Sequence, residues 1–417
     1  MLNRRSLLGL VPLPFLFPRL AHAAGASAER KFLFVFCVGG WDQTTCFAPV
    51  YGASGVDMER DSAASTIGGI TFVDQKDRPS VRGFFSNYHD RVAIINGFEV
   101  ASITHDRCTR LLLTGRGDTG TDDWGAILAG HATSDLLLPH LVMSGPSYSA
   151  AYTSSVVRLG TTGQLSKLLD GSCISRESAT AVEMPSAAAQ TAVDAFVRNR
   201  VAAYEAAARS NREASFGAGY GASLDKVERL ADYGANLMTE NSGDMRYSQF
   251  KTAVNCLSTG LSRCAMVEYD GLWSSTFDTH SQNFMQSYHF EELFQFLGRL
   301  MADLDGAPGP AGGRLSDETT VVVFSEMGRG PKLNSTDGKD HFTNTSAMLI
   351  GGGVIGDRVI GAYDERLIGR NVDLSSGDVS DSGTLMTAST VGSTLLAAGD
   401  LDPAEFGESE PLQGIFA

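Results

Sequence analysis

The chain has 417 residues, of which 43% are apolar and 19% charged, the composition of a globular protein long enough for one large α/β domain or two ordinary ones. A net charge of −15 argues against nucleic acid, which is bound through dense Lys and Arg, and against adsorption to an anionic membrane. An anionic substrate stays compatible, because a bound cation with one or two arginines reverses a local field.

Asn3-Arg4-Arg5-Ser6-Leu7-Leu8-Gly9 opens into an apolar run that reaches Leu20 and ends in Ala21-His22-Ala23-Ala24. A charged start, an apolar middle and an A-x-A end describe a secretory signal over residues 1–23. The paired arginines point to the twin-arginine route, and so to a periplasmic or secreted protein. Pro12, Pro14, Pro18 and Arg19 interrupt the run, which falls short of the ~20 apolar residues of a membrane span. No stable membrane insertion is expected after cleavage. The six cysteines show no C-x-x-C spacing, so a thiolate zinc site is not expected, and export of folded cargo leaves no need for disulfides in folding.

The mature chain, from about residue 30 to 417, reads as strands alternating with helices. Lys31 to Val38 is a continuous apolar run closed by Gly39-Gly40, the pattern of a strand buried on both faces. Arg91 to Asn96 is a second strand of that type. Residues 184 to 240 differ in texture: alanine-rich stretches with strong helix propensity predict a helical insertion or cap, broken at Gly217 to Gly221. Cys264 to Tyr269 predicts a strand. Phe290, Leu293, Phe294, Leu297, Leu300, Met301 and Leu304 predict an amphipathic helix leading into the strand Thr319 to Ser325. Ser346 to Ile350 is a further strand. Together these elements predict an α/β fold with a largely parallel central sheet covered by helices on both faces.

Four segments dense in metal-binding residue types follow or precede these strands. Asp42 comes directly after the Gly39-Gly40 turn, where an Asp suits a cation ligand and equally an Asx turn or helix N-cap. Asp278 and His280 stand two apart in an extended segment, so that both side chains face one way. Glu326 immediately follows the Val-rich strand, with Arg329 three residues later to clamp an oxyanion or to pair with Glu326. Asp340-His341 lies in a glycine-flanked loop before the strand at 346. Thr104-His105 opens a helix that closes at Leu112-Leu113-Thr114-Gly115-Arg116; its N-terminus favours an anion, and Thr104 also serves as a plain N-cap. Strand ends of an open α/β sheet are where ligands bind, so the segments are expected to meet at one edge. Gly351 to Gly356 matches G-x-G-x-x-G, but residues 357–361 read as a strand and not as the helix a dinucleotide needs. That stretch is taken as a hairpin, and no dinucleotide is expected.

The set G-G-W-D at Gly39 to Asp42, F-D-T-H at Phe277 to His280, S-E-M-G-R at Ser325 to Arg329 and the Asp340-His341 pair resembles the secreted bacterial family called domain of unknown function 1501. Met327 departs mildly from the S-E-F-G-R usual there. That family is similar in turn to the alkaline phosphatase and sulfatase superfamily. The resemblance implies a three-layer sandwich of the alkaline phosphatase type, with metal held by Asp42, Asp278, His280, Glu326 and His341, and Asp340 beside them. Leu112 to Arg116 resembles the end of the sulfatase nucleophile helix, which places His105 where the nucleophile stands. The C-x-P-S-R pattern is absent, and Glu326-Met327 replaces an Asp-His pair.

The function expected is an exported metal-dependent hydrolase of a phosphate or sulfate ester, on a small molecule or a polymer. A divalent cation is implied, with zinc or manganese suited to mixed carboxylate and imidazole ligands. Arg329 or Arg116 would stabilise charge on the transferring group, and His105 or Thr104 would act as ligand, acid/base or nucleophile. The alternative is a secreted binding or assembly protein that keeps the fold without catalysis and engages a protein partner.

Overall fold

The computed structural model describes residues 29–159, 186–231, 233 and 244–416; the expected signal at 1–23 lies outside them. Eight strands form the central sheet: β1 (Lys31–Cys37), β2 (Val92–Glu99), β3 (His140–Val142), β4 (Val156–Arg158), β5 (Cys264–Tyr269), β6 (Thr319–Ser325), β7 (Asn344–Gly351) and β8 (Arg358–Ile360). Their order across the sheet is β8-β2-β7-β6-β1-β5-β3-β4. Every pairing is parallel except those of β7, which runs antiparallel to both β2 and β6.

Alternation along the strands builds the three layers. Leu33, Val35 and Cys37 of β1 pack with the helices Pro79–Tyr88, Met245–Ser258 and Met285–Gly306. Phe32, Phe34 and Phe36 turn to the other face, against His105–Thr114, Trp124–Gly130 and Ala388–Ala398. A strand clad on both faces has no polar side to show, which is why β1 and β6 read as unbroken apolar runs. Among the described residues, five cysteines are buried and free, and no helix is long and apolar enough to cross a membrane.

The five long runs predicted as strands are strands, and the helix predicted around 290–304 spans Met285–Gly306. Two expectations change. β8 follows the glycine-rich stretch as expected, but it pairs in parallel with β2 rather than folding back on β7 as a hairpin. Gly217 to Gly221 do not break a helix. They lie inside Asn211–Ala231, and the interruption after Ala187–Ala206 comes at 207–210. A Cβ on Gly217 would come within 2.6 Å of the Glu205 side chain, so the small residue lets the two helices approach closely, offsetting a helix-propensity cost of about 1 kcal/mol.

Strand register decides where the loops go. Cys37 at the end of β1 is level with Tyr269 of β5 and Ser325 of β6, so the loops after all three leave the same sheet edge. Antiparallel β7 starts at that edge, and so residues 338–341 arrive there from the opposite chain direction. β2 ends there too, Glu99 facing Asn344, and feeds the helix that His105 opens.

Beneath this edge lies a buried ion pair. The Lys339 ammonium stands 2.9 Å from Asp42 and also donates to the Thr44 hydroxyl at 2.7 Å. Asp42 caps the turn Gln43–Cys46 through the Thr44 amide and accepts from Asn283 at 2.8 Å. Burial would raise the Asp42 carboxyl, but the Lys339 charge and the Thr44 and Asn283 hydrogen bonds outweigh it and hold it ionised. Both side chains are 1% exposed. Lys339→Met leaves that carboxylate without its counter-ion, and urea unfolding is expected to show a loss of about 3–5 kcal/mol.

Candidate metal centre

The motif residues split their work between core and edge. Trp41 and Phe277 are fully buried, with ring centroids 6.4 Å apart, and Trp41 donates its indole N–H to Thr345. These aromatics anchor the loops, and the charged residue next to each then stands at a defined place. Gly39 has φ of +112°, and a Cβ there would lie 2.4 Å from the Asp278 amide, so the turn after β1 needs glycine to let the Asp278 loop close over it. Gly328–Arg329 pairs antiparallel with His341–Phe342, Arg329 opposite His341, which joins two of the predicted segments directly. A Cβ on Gly338 would meet the His280 carbonyl at 2.1 Å, so glycine there lets the 338–341 loop lie against the backbone of residues 280–281.

Three imidazoles and one carboxylate converge at this edge. Nε2 of His105 lies 3.4 Å from Asp278 Oδ2; Nε2 of His280 and of His341 lie 3.3 and 3.2 Å from Asp278 Oδ1. The two latter nitrogens are 2.9 Å from each other. Each ring is held from behind at Nδ1: His105 by Glu326 at 2.8 Å, His280 by Asp340 at 3.2 Å, His341 by the Ile103 carbonyl at 2.6 Å. An acceptor at Nδ1 favours the N–H on that atom, the tautomer in which each Nε2 would present a lone pair to a cation beside Asp278; without a cation, an N–H at Nε2 is what bonds to Asp278. Lone pairs from several rings aimed at one carboxylate repel unless a cation or protons stand between them. Oxygen acceptors behind ring nitrogens are also the arrangement that orients histidine for metal.

His105, Asp278 and His341 offer ligand atoms all within 4.8 Å of one another. Two ligands about 2.0–2.1 Å from a tetrahedral zinc stand about 3.3–3.4 Å apart, close to the spacings of the Nε2 atoms from Asp278. The donor set therefore fits a divalent cation, with three protein ligands and His280 beside them.

The sequence-predicted residues sort differently from the expectation. Asp278, His280 and His341 are in the group, and His105 joins them. Glu326 and Asp340, expected as ligands, stand one contact farther out and hold the imidazoles of His105 and His280. Glu326 is 1% exposed and is itself fixed by the Gly39 amide and the Ser325 hydroxyl. Asp42 is not in the group, because Lys339, Thr44 and Asn283 take up its oxygens. Arg329, expected to face a transferring group, is wholly buried. It donates to the carbonyls of Gly39, Gly40 and Lys339 and to Asp278 at 2.6 Å, so its donors are committed to positioning. Arg116 lies past the far end of the helix that His105 opens, bound to Glu408 and the Phe406 carbonyl. Thr104 is exposed beside His105, its hydroxyl 3.3 Å from that of Ser102. Sequence reasoning missed Lys339, Asn283 and Gln286, the last of which receives the Asp42 amide at 2.8 Å and donates to the Phe277 carbonyl. The one signal available for them was proximity to the D-T-H and D-H motifs.

Hydrogen bonds to Asp278 and then Glu326 raise His105 from 6.5 to about 9. Partial burial would raise Asp278, but hydrogen bonds from His105, Arg329 and His341 together hold it far below the usual carboxylate range. In chelator-treated protein a proton thus takes the place the cation would occupy. Nuclear magnetic resonance titration of that form is expected to show His105 deprotonating near pH 9. Since the folded value lies above 6.5, this ring's contribution to stability is complete below pH 6.5 and lost as pH rises through 9, and the melting temperature of the chelated protein should fall over that interval. Glu326→Gln and Asp340→Asn should each weaken metal binding by about 10–100-fold in calorimetry, because each releases a ring from its support.

The sequence profile of a family described as "Protein of unknown function (DUF1501)" matches residues 29–381. No curated protein matches the chain. Among solved structures it is similar to the PsFucS1 sulfatase from Pseudoalteromonas sp., 11% identical, with 90% of this chain and 68% of that one covered at a TM-score of 0.40. A protein in the alkaline phosphatase superfamily from Vibrio parahaemolyticus is 8% identical over 94% and 70% of the two chains, TM-score 0.38. The phosphonate monoester hydrolase SpPMH from Silicibacter pomeroyi is 10% identical over 92% and 74%, TM-score 0.39.

Proposed function

The chain belongs to the DUF1501 family, and we propose that it is an exported, metal-dependent hydrolase of phosphate or sulfate esters. One observation carries this reading: three Nε2 atoms, each backed by an acceptor at Nδ1, meet a single carboxylate. His105, Asp278 and His341 would hold the ion, with His280 as a fourth donor. Zinc or manganese suits this mixture of nitrogen and oxygen ligands. A divalent cation there supplies Lewis acidity to an ester oxygen and acidifies water at neutral pH.

The remaining steps belong to the chain's own residues. Arg329 fixes Asp278, and the buried Glu326 fixes His105, so that the donors are already in place and little reorganisation is needed. A cleft of about 370 Å³ opens beside them, lined by His105, Asp278 and Glu326 together with Thr109 and Tyr148, and is of a size for a small ester or the end of a longer one. The phosphate or sulfate ester class follows from the resemblance of the motifs, and export from the Arg4-Arg5 leader.

Mature protein purified from its exporting host is expected to carry zinc or manganese by elemental mass spectrometry and to turn over members of an aryl phosphate, sulfate and phosphonate panel. Asp278→Ala should remove both the metal and the turnover, while His280→Ala should reduce them less. Bound metal in wild type with no turnover on the panel would select the silent binding or assembly protein; an absence of metal as well would remove the hydrolase reading.

A further inference from the structure

The cleft beside the histidines has a second acidic wall that the ion group does not use. Glu268 lies on β5, level with Phe36 of the adjacent β1, and residues level in neighbouring strands point to one face. Phe36 belongs to the face covered by the helix His105–Thr114, so Glu268 is directed toward the half of that helix that carries His105 and Thr109. Its backbone amide is held by Ser144 at 2.9 Å, which fixes its place. Among the described residues no donor or cation is bonded to its carboxylate. It lines the same cleft as His105, Asp278 and Glu326.

We propose that Glu268 is the general acid of the hydrolysis, giving its proton to the leaving oxygen; this rests on the hydrolase reading above. Burial, then the nearby Asp270 and Glu326 carboxylates, push its carboxyl upward, which favours the protonated form that an acid needs. The other acids of the cleft are differently placed: Asp278 and Glu326 are tied to histidines, and Asp106 is exposed on the first turn of its helix. As a water oxygen attacks phosphorus or sulfur, the bond to the leaving oxygen breaks and its electron pair stays on that oxygen. The Glu268 proton moves to it and the alcohol departs. The carboxylate is reprotonated from solvent, which has received the proton lost by the attacking water.

The test compares wild type, Glu268→Gln and Glu268→Asp across monoesters whose leaving groups range from p-nitrophenol to simple alkanols. A general acid matters most where the leaving oxygen is most basic. Glu268→Gln should therefore lower kcat/KM on alkyl esters by about 10²–10⁴-fold and far less on the p-nitrophenyl ester, steepening the dependence on leaving-group basicity. Glu268→Asp should restore part of the alkyl activity. Calorimetric affinity for zinc and the melting temperature should match wild type in both variants. A loss that is equal across the series, or none, overturns the assignment while leaving the hydrolase reading intact. Loss of zinc affinity in both variants likewise overturns it, by making Glu268 part of the ion's support. Wild-type protein that turns over no ester removes the reading and the assignment together.

Discussion

A single buried guanidinium holds the functional edge together. Arg329 spends its donors on the Gly39 and Gly40 carbonyls after the first strand, on the Lys339 carbonyl before the seventh, and on Asp278. Three loops, at residues 39–40, 278 and 339, are thereby pinned to one cation from which solvent is excluded. An ammonium could not replace it, because the planar fork reaches several acceptors in fixed directions. Its charge is tolerable inside only because Asp278 answers it. The carboxylate at the centre of the histidine group is thus also the counter-ion of the scaffold.

That double role explains the electrostatics of the edge. Asp278 is drawn on by Arg329 from below and by the imidazoles from above, which hold its carboxyl far below the usual carboxylate range. The imidazoles, backed by Glu326, Asp340 and the Ile103 carbonyl, have one remaining freedom: what fills the space between their Nε2 atoms and Asp278. Protons fill it at a cost in charge repulsion among the rings. One divalent cation fills it with all lone pairs directed inward.

Much of the fold was legible because a strand covered on both faces must be apolar throughout, and β1, β2, β5, β6 and β7 announce themselves so. The three-residue strands β3 and β4 escaped notice, since so short a run carries no period and is called into the sheet by its neighbours. The helix through Gly217 to Gly221 escaped for the opposite reason. Local propensity argues against it, and only contact with a second helix makes the absence of side chains useful.

At the site, residue types and their positions at strand ends picked out segments that the structure brings together at one sheet edge, where the loops after parallel strands finish. Roles were a different matter. Asp42 and Asp278 each follow an aromatic in a strand-end loop, yet one is neutralised by Lys339 within the interior and the other faces three histidines. Glu326 and Asp340 each lie one contact short of the centre. Sequence by itself determined the alternation of layers, the edge at which the loops meet and the kinds of side chain brought there, since these follow from hydrophobic period and chain direction. Which carboxylate faces the three imidazoles, which braces one of them and which is an ion-pair partner depends on differences of a few ångströms, and only strand register and the packing of Arg329 and Lys339 decided them.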